Sequence, residues 1–160
     1  MHRDSLERIG LASANFKPAF ALATKICIPF LVPAYAIVAY RGFRGEWNLW
    51  FSFLGYPIWA FVQEYALLGF VANRLEEAIS SRAWIPWLNG LLFASAHLPN
   101  PVLTIATFIS GTLFTALFFK RRHLVPAAVF HALFGVAICM AFNNFPGIMS
   151  VGPGYLRRFQ

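Results

Sequence analysis

The sequence predicts an all-α, polytopic membrane bundle with about five transmembrane helices behind an N-terminal interfacial segment. Three observations carry this expectation. Of 160 residues, 59% are hydrophobic and only 12% charged, too few charges to cover a soluble domain of this size. The apolar residues fall into runs close to the length that crosses a hydrocarbon core of about 30 Å. The bases cluster at the ends of those runs, which fits membrane orientation and anionic lipid headgroups. That distribution accounts for the net charge of +7, so membrane lipids are the expected partner and nucleic acid is not.

Each element can be justified in order. Residues 1–17 place Leu6, Ile9 and Phe16 at roughly helical spacing among charges, as in a helix lying on the membrane surface. The run Pro18 to Tyr40 follows Arg3, Arg8 and Lys17 as a signal-peptide core would. It is too long for that role and no small-residue cleavage pattern follows, so it reads as a retained first span, kinked at Pro29 and Pro33. The second span runs from Leu49 to Ala72 and on toward Ile79. The third, Trp84 to Leu98, is short; the fourth is Val102 to Phe119 and the fifth Val125 to Phe142. Residues 18–142 thus form one membrane-embedded domain. The tail, residues 143–160, contains Pro-Gly and Gly-Pro turns and reads as an irregular cap. Cys27 and Cys139 lie in apolar runs without metal-ligand spacing and are expected to be packing thiols.

Five spans put Arg3, Arg8, Lys17, Arg74, Arg82, Lys120, Arg121 and Arg122 on one side, and Arg41, Arg44, Arg157 and Arg158 on the other. The positive-inside rule then puts the N-terminus and the Lys120–Arg122 loop in the cytoplasm; the expected location of this multi-pass chain is the bacterial cytoplasmic membrane.

Within this frame Glu64 stands out. The other acids, Asp4, Glu7, Glu46, Glu76 and Glu77, all lie in polar stretches. A charge at the bilayer centre costs roughly 2.5–3.5 kcal/mol on insertion scales, so an intramembrane carboxylate needs a partner or a role. Two further runs carry one histidine each, His97 and His131. At about 1.5 Å rise per residue, Glu64 lies about 15 Å and His131 about 13 Å below the predicted cytoplasmic face, with His97 about 22 Å down. Singly, each has a structural reading: Glu64 bonded to a neighbouring helix, His97 bonding carbonyls at the turn Leu98-Pro99-Asn100-Pro101, His131 packed in the bundle. Together they predict a shared polar pocket. His2 and His123 sit in basic stretches and are expected to be exposed.

An acid with two imidazoles suits activation of water. The carboxylate can act as general base, one imidazole can hold the water or donate a proton, and another can polarise a carbonyl. Other designs fail or weaken by composition. An aspartyl dyad needs two intramembrane Asp, and Asp4 is the only Asp. A His-Glu-x-x-His zinc helix is missing. A zinc ion held by Glu64, His97 and His131 is the alternative to a site without cofactor. A Ser110–His131 dyad competes with reading Ser110-Gly111 as small residues at a helix contact.

The order of motifs resembles one family. QEYALLGFVANRL is similar to the first motif of the CPBP family (CAAX proteases and bacteriocin-processing enzymes, also called ABI), usually Glu-Glu-x-x-x-Arg-Gly. Phe93 to His97 matches its second motif, Phe-x-x-x-His. VPAAVFHALFG looks like its third, a histidine followed four residues later by Asn or similar. The likeness covers residues 55–140. It implies an all-helical membrane peptidase that activates water with a glutamate and histidines. Gln63 stands where the family has its first glutamate, Leu68 where it has arginine, and Gly135 where it has Asn.

The resemblance implies a glutamate-dependent intramembrane endopeptidase acting on a membrane-anchored or lipidated polypeptide. The family's water-activating glutamate is the first, so in this reading Glu64, which matches the second, takes over as base. His97 positions the water, His131 faces the carbonyl oxygen, Gln63 orients the group, and Phe93 packs beneath His97 at the substrate. The three substitutions support an alternative, a non-catalytic relative that binds a hydrophobic peptide or partner protein.

Overall fold

A computed structural model describes residues 4–42, 54–142 and 148–157. The first residues of the expected second span (Leu49 to Phe53), the first of the tail (Asn143 to Gly147), and His2, Arg3, Arg44, Glu46 and Arg158 lie outside the described residues. The architecture is the all-α bundle that the sequence predicts. A 3₁₀ turn, Ser13–Asn15, leads into α1 (Phe16–Arg41). Next come α2 (Tyr56–Glu64), a π-helical segment Tyr65–Ala72, and α3 (Asn73–Ala78), followed by α4 (Ile85–Ser95), α5 (Pro101–Arg121), α6 (Val125–Ala141) and a single turn, α7 (Pro153–Leu156).

Local chemistry sets these boundaries. Proline stands in the first turn of α2, α4, α5, α6 and α7, where its missing N–H costs no helical bond and its φ is already suitable. Asn100 caps α5 by accepting from the Leu103 N–H at 3.2 Å. Ser13–Arg41 and Pro101–Arg121 are long and apolar enough to cross a membrane. Helix α1 continues through Pro29 and Pro33; neighbouring helices can re-satisfy the freed carbonyls in such a bundle. Composition gave no sign of the π segment, where α2 passes into α3 with its hydrogen bonds in a wider register.

Helix α4 packs along α5, α1 along α6, and α2 against α6. A Cβ on Gly111 would lie 3.1 Å from the Gly90 Cα, so α4 and α5 approach backbone to backbone, the close contact that Ser110-Gly111 predicts. The main core joins Cys27, Leu67, Leu68, Phe93, Phe114, Phe118 and Phe130. Cys27 is therefore a packing thiol, as expected.

At one end of the bundle the charged residues interlock. Arg74 pairs with Asp4, Arg8 with Glu77, Arg82 with Glu76 at 3.0 Å, and Arg122 with Glu76 and with Asn73 Oδ1. The N-terminal residues run here as turns rather than as the surface helix their spacing predicts. Ion pairing to α3 and a Leu124 N–H bond to the Gly10 carbonyl (3.0 Å) hold them there. Gly10 has φ 79°, a conformation that favours glycine. His123, expected to be exposed, is buried against the Phe16 ring.

Candidate active site

Glu64 closes α2, on the face that also carries Tyr56 and Ala60 at four-residue spacing; all three are buried against α6. His131 projects from the second turn of α6 onto that face. Its Nδ1 lies 2.8 Å from Glu64 Oε1. Glu64 has no exposed surface, and its second oxygen, Oε2, is buried without a hydrogen-bond partner among the described residues. Both tautomer and ring orientation of His131 follow from this contact: Nδ1–H donates to the carboxylate, and Nε2 remains for the adjoining cavity.

His97 lies just past the end of α4, where its Nδ1 contacts the Phe93 carbonyl at 2.8 Å. A carbonyl only accepts, so Nδ1 carries the proton here too and Nε2 is left as an acceptor. The Phe93 ring meets both imidazoles edge-on, at 4.8 Å from His97 and 5.6 Å from His131 between centroids. One buried aromatic ring thus fixes the spacing of the two histidines. Phe93 is that support, packed beneath His97 as the sequence leads one to expect and 7% exposed.

Both histidines open on a cavity of about 600 Å³ whose wall includes Tyr56, Trp59, Gln63, Thr107, Ser110, Phe134, Gly135 and Met149. Its lining is largely apolar, and Phe30, Trp59 and Ile109 at its margin are more than half exposed. The tail passes beside it. Asn100 Nδ2 donates to the Ile148 and Ser150 carbonyls at 2.6 and 3.1 Å, which brings Met149 and Val151 to the wall.

The structure brings His97, His131 and Gln63 to one chamber and places Glu64 directly behind His131. Glu64 itself has no exposed surface and is not part of the cavity wall, whereas its partner His131 is. Ser110 shares the chamber, but its hydroxyl bonds to the Thr107 carbonyl at 3.5 Å. The zinc alternative needs three donors about one point, and among the described residues no three His, Cys, Asp or Glu side chains are grouped to hold a metal ion. Leu68 is fully buried in the apolar core where the family motif has arginine.

Residues 45–137 match the family described as type II CAAX prenyl endopeptidase Rce1-like. The chain belongs to this family. It is a family of membrane-embedded proteases within the CPBP group that the ordered motifs resemble, and the match spans all three motifs. No curated protein and no solved structure matches the chain.

Sequence reasoning missed Tyr56. A Cβ on Gly135 would lie 2.0 Å from its hydroxyl oxygen, and its ring stands edge-on to His131 at 6.2 Å. The available signal was the pairing itself: a glycine one turn after His131, and a large residue two turns before Glu64.

Proposed function

We propose that the protein is a glutamate-dependent intramembrane endopeptidase in which Glu64 acts through His131 on water held in the chamber. The observation that carries this reading is the 2.8 Å contact between His131 Nδ1 and a carboxylate with no exposed surface. A buried carboxylate behind an imidazole holds the productive tautomer and stabilises the imidazolium that forms during proton transfer. His131 Nε2 takes a proton from water as its oxygen bonds to the scissile carbonyl carbon. The same proton then passes to the amide nitrogen as the C–N bond breaks, and the new carboxylic acid releases the other. His97 Nε2 accepts a hydrogen bond from that water and aligns it, and the Gln63 amide orients the polar part of the substrate.

The substrate in this reading is a membrane-anchored or lipidated polypeptide. The apolar lining and exposed apolar margin of the chamber support it, as does the prenyl-protein family to which the chain belongs. Residues 18–142 act as one membrane-embedded domain crossing the bilayer several times. The interlocked end that carries Arg8, Arg74, Arg82 and Arg122 faces the cytoplasm, following the positive-inside rule.

The test reconstitutes the protein in vesicles with a quenched fluorescent farnesylated CAAX peptide. Native protein cleaves it, and Glu64→Gln and His131→Asn each lower kcat by about 100-fold or more. Native-rate cleavage by Glu64→Gln removes the reading. The burial of Leu68 where the family has arginine favours a second reading, a non-catalytic binder of hydrophobic peptide. Peptide binding without cleavage, by both the native protein and Gln63→Glu, supports it; cleavage gained with Gln63→Glu identifies an enzyme that has lost its base.

A further inference from the structure

We infer that the Tyr56 hydroxyl is the hydrogen-bond donor to the scissile carbonyl oxygen, standing in the space that Gly135 leaves open. The inference rests on the peptidase reading above and adds a catalytic residue to it.

Gly135 lies one helical turn after His131, so a side chain there would project beside the imidazole on the same face of α6. In this chain that space is filled from the opposite helix. A Cβ on Gly135 would come within 2.0 Å of the Tyr56 hydroxyl and 2.6 Å of ring atoms Cε1 and Cζ. The glycine and the tyrosine therefore form one unit, since the phenol can occupy this position only while residue 135 has no side chain. Tyr56 is 9% exposed and belongs to the chamber wall. Its ring packs with Ala60 and Ala132 and meets His131 edge-on at 78°.

The chemistry follows from that position. Attack by water turns the carbonyl oxygen into an oxyanion, which a donor already fixed in place stabilises more than it stabilises the neutral ground state. His131, bonded to Glu64, handles the proton of the attacking water and cannot also hold an N–H toward the oxyanion while it accepts that proton. The Tyr56 phenol, whose ring stands 6.2 Å from that of His131 between centroids, supplies this donor without adding charge to an apolar wall. Because the ring is held by packing, the hydroxyl oxygen is in place before substrate arrives.

The experiment uses the full chain in vesicles with the farnesylated CAAX peptide, and in parallel a phosphinate analogue of that peptide whose tetrahedral centre mimics the oxyanion. Tyr56→Phe keeps the ring and its packing; kcat falls about 100-fold with KM within twofold, and phosphinate affinity falls while affinity for an uncleavable ground-state peptide is unchanged. Gly135→Ala displaces the phenol and gives the same pattern. Tyr56→Ala combined with Gly135→Asn recovers at least tenfold over Tyr56→Ala alone by providing an amide donor from α6. Tyr56→Phe cleaving within twofold of native, or binding phosphinate as tightly as native, overturns the inference. Native-rate cleavage in Glu64→Gln removes the glutamate dependence alone, and the peptidase reading fails separately, by peptide binding without cleavage in the native protein; the role of Tyr56 is then decided by the phosphinate comparison alone.

Discussion

His131 Nδ1 meets Glu64 Oε1 at 2.8 Å across the contact between α6 and α2, in a place where the carboxylate has no exposed surface. Loss of either partner is therefore expected to separate chemistry from folding. Glu64→Gln keeps the volume and a hydrogen-bonding oxygen, so the melting temperature in detergent stays within a few degrees, while kcat falls by about 10²–10⁴. His131→Ala strands a buried acid and opens a void, and stability drops by about 2–4 kcal/mol. Thermal melting beside initial rates checks both. Equal melting shifts in the two variants would show that the contact only holds the helices together.

Gly90 permits the close approach of α4 and α5. A Cβ there would lie 2.2 Å from Thr112 Oγ1 and 2.8 Å from the Phe108 carbonyl, and the backbone carbonyl cannot rotate away. Gly90→Ala is expected to push the helices apart at a cost of about 1–3 kcal/mol. It also lowers activity, because Phe93 on α4 sets the histidine spacing. Leu91→Ala, on the outward face at 55% exposure, serves as the control and leaves both melting temperature and rate near native.

Much of the bundle was legible in the sequence. Hydropathy alone located the apolar segments now seen in helices, and counting residues from the basic clusters put Glu64 and His131 at one depth. They prove to be in direct contact. Which side of a helix faces a cavity was not legible, because Glu64 and Gln63 differ by one position and only packing decides which points inward. The π segment has no compositional signature. That Tyr56 fills the space beside Gly135 was not legible either, being a relation between residues 79 positions apart (135 against 56). The N-terminal turns escaped for a similar reason: ion pairs of Asp4 and Arg8 with α3 override a weak local helical spacing.

Asn89 braces the π segment from α4. Fully buried, it donates through Nδ2 to the Leu67 carbonyl at 3.1 Å and to Thr115 Oγ1 at 2.8 Å. Leu67 lies three residues past Glu64, so this brace helps set where the carboxylate ends up. Asn89→Ala leaves a buried carbonyl without its donor and is expected to cost about 1–3 kcal/mol. Amide hydrogen exchange across residues 65–72 accelerates, and cleavage slows with it. Unchanged exchange in that segment would mean that the wider helical register holds without Asn89.

His123 gives the α5–α6 connection a pH dependence whose sign can be worked out. Its ring is buried beside Phe16, and that desolvation pushes its pKa below the ordinary imidazole value. Nδ1 accepts from the Val125 N–H at 3.3 Å, a bond that requires the neutral ring. Above the ordinary imidazole pKa the folded and unfolded chains are both neutral at this site, and stability does not change with pH. As pH falls through that value the unfolded chain takes up the proton first, so stability declines down to the lower folded pKa. Native protein is therefore expected to melt at a lower temperature at pH 5.5 than at pH 7.5, with faster exchange of the Leu124 N–H that bonds Gly10. His123→Gln keeps an acceptor but does not titrate, so its melting temperature changes less over the same interval. Parallel curves for native and variant would assign the acid sensitivity to the carboxylates of the ion-paired end instead.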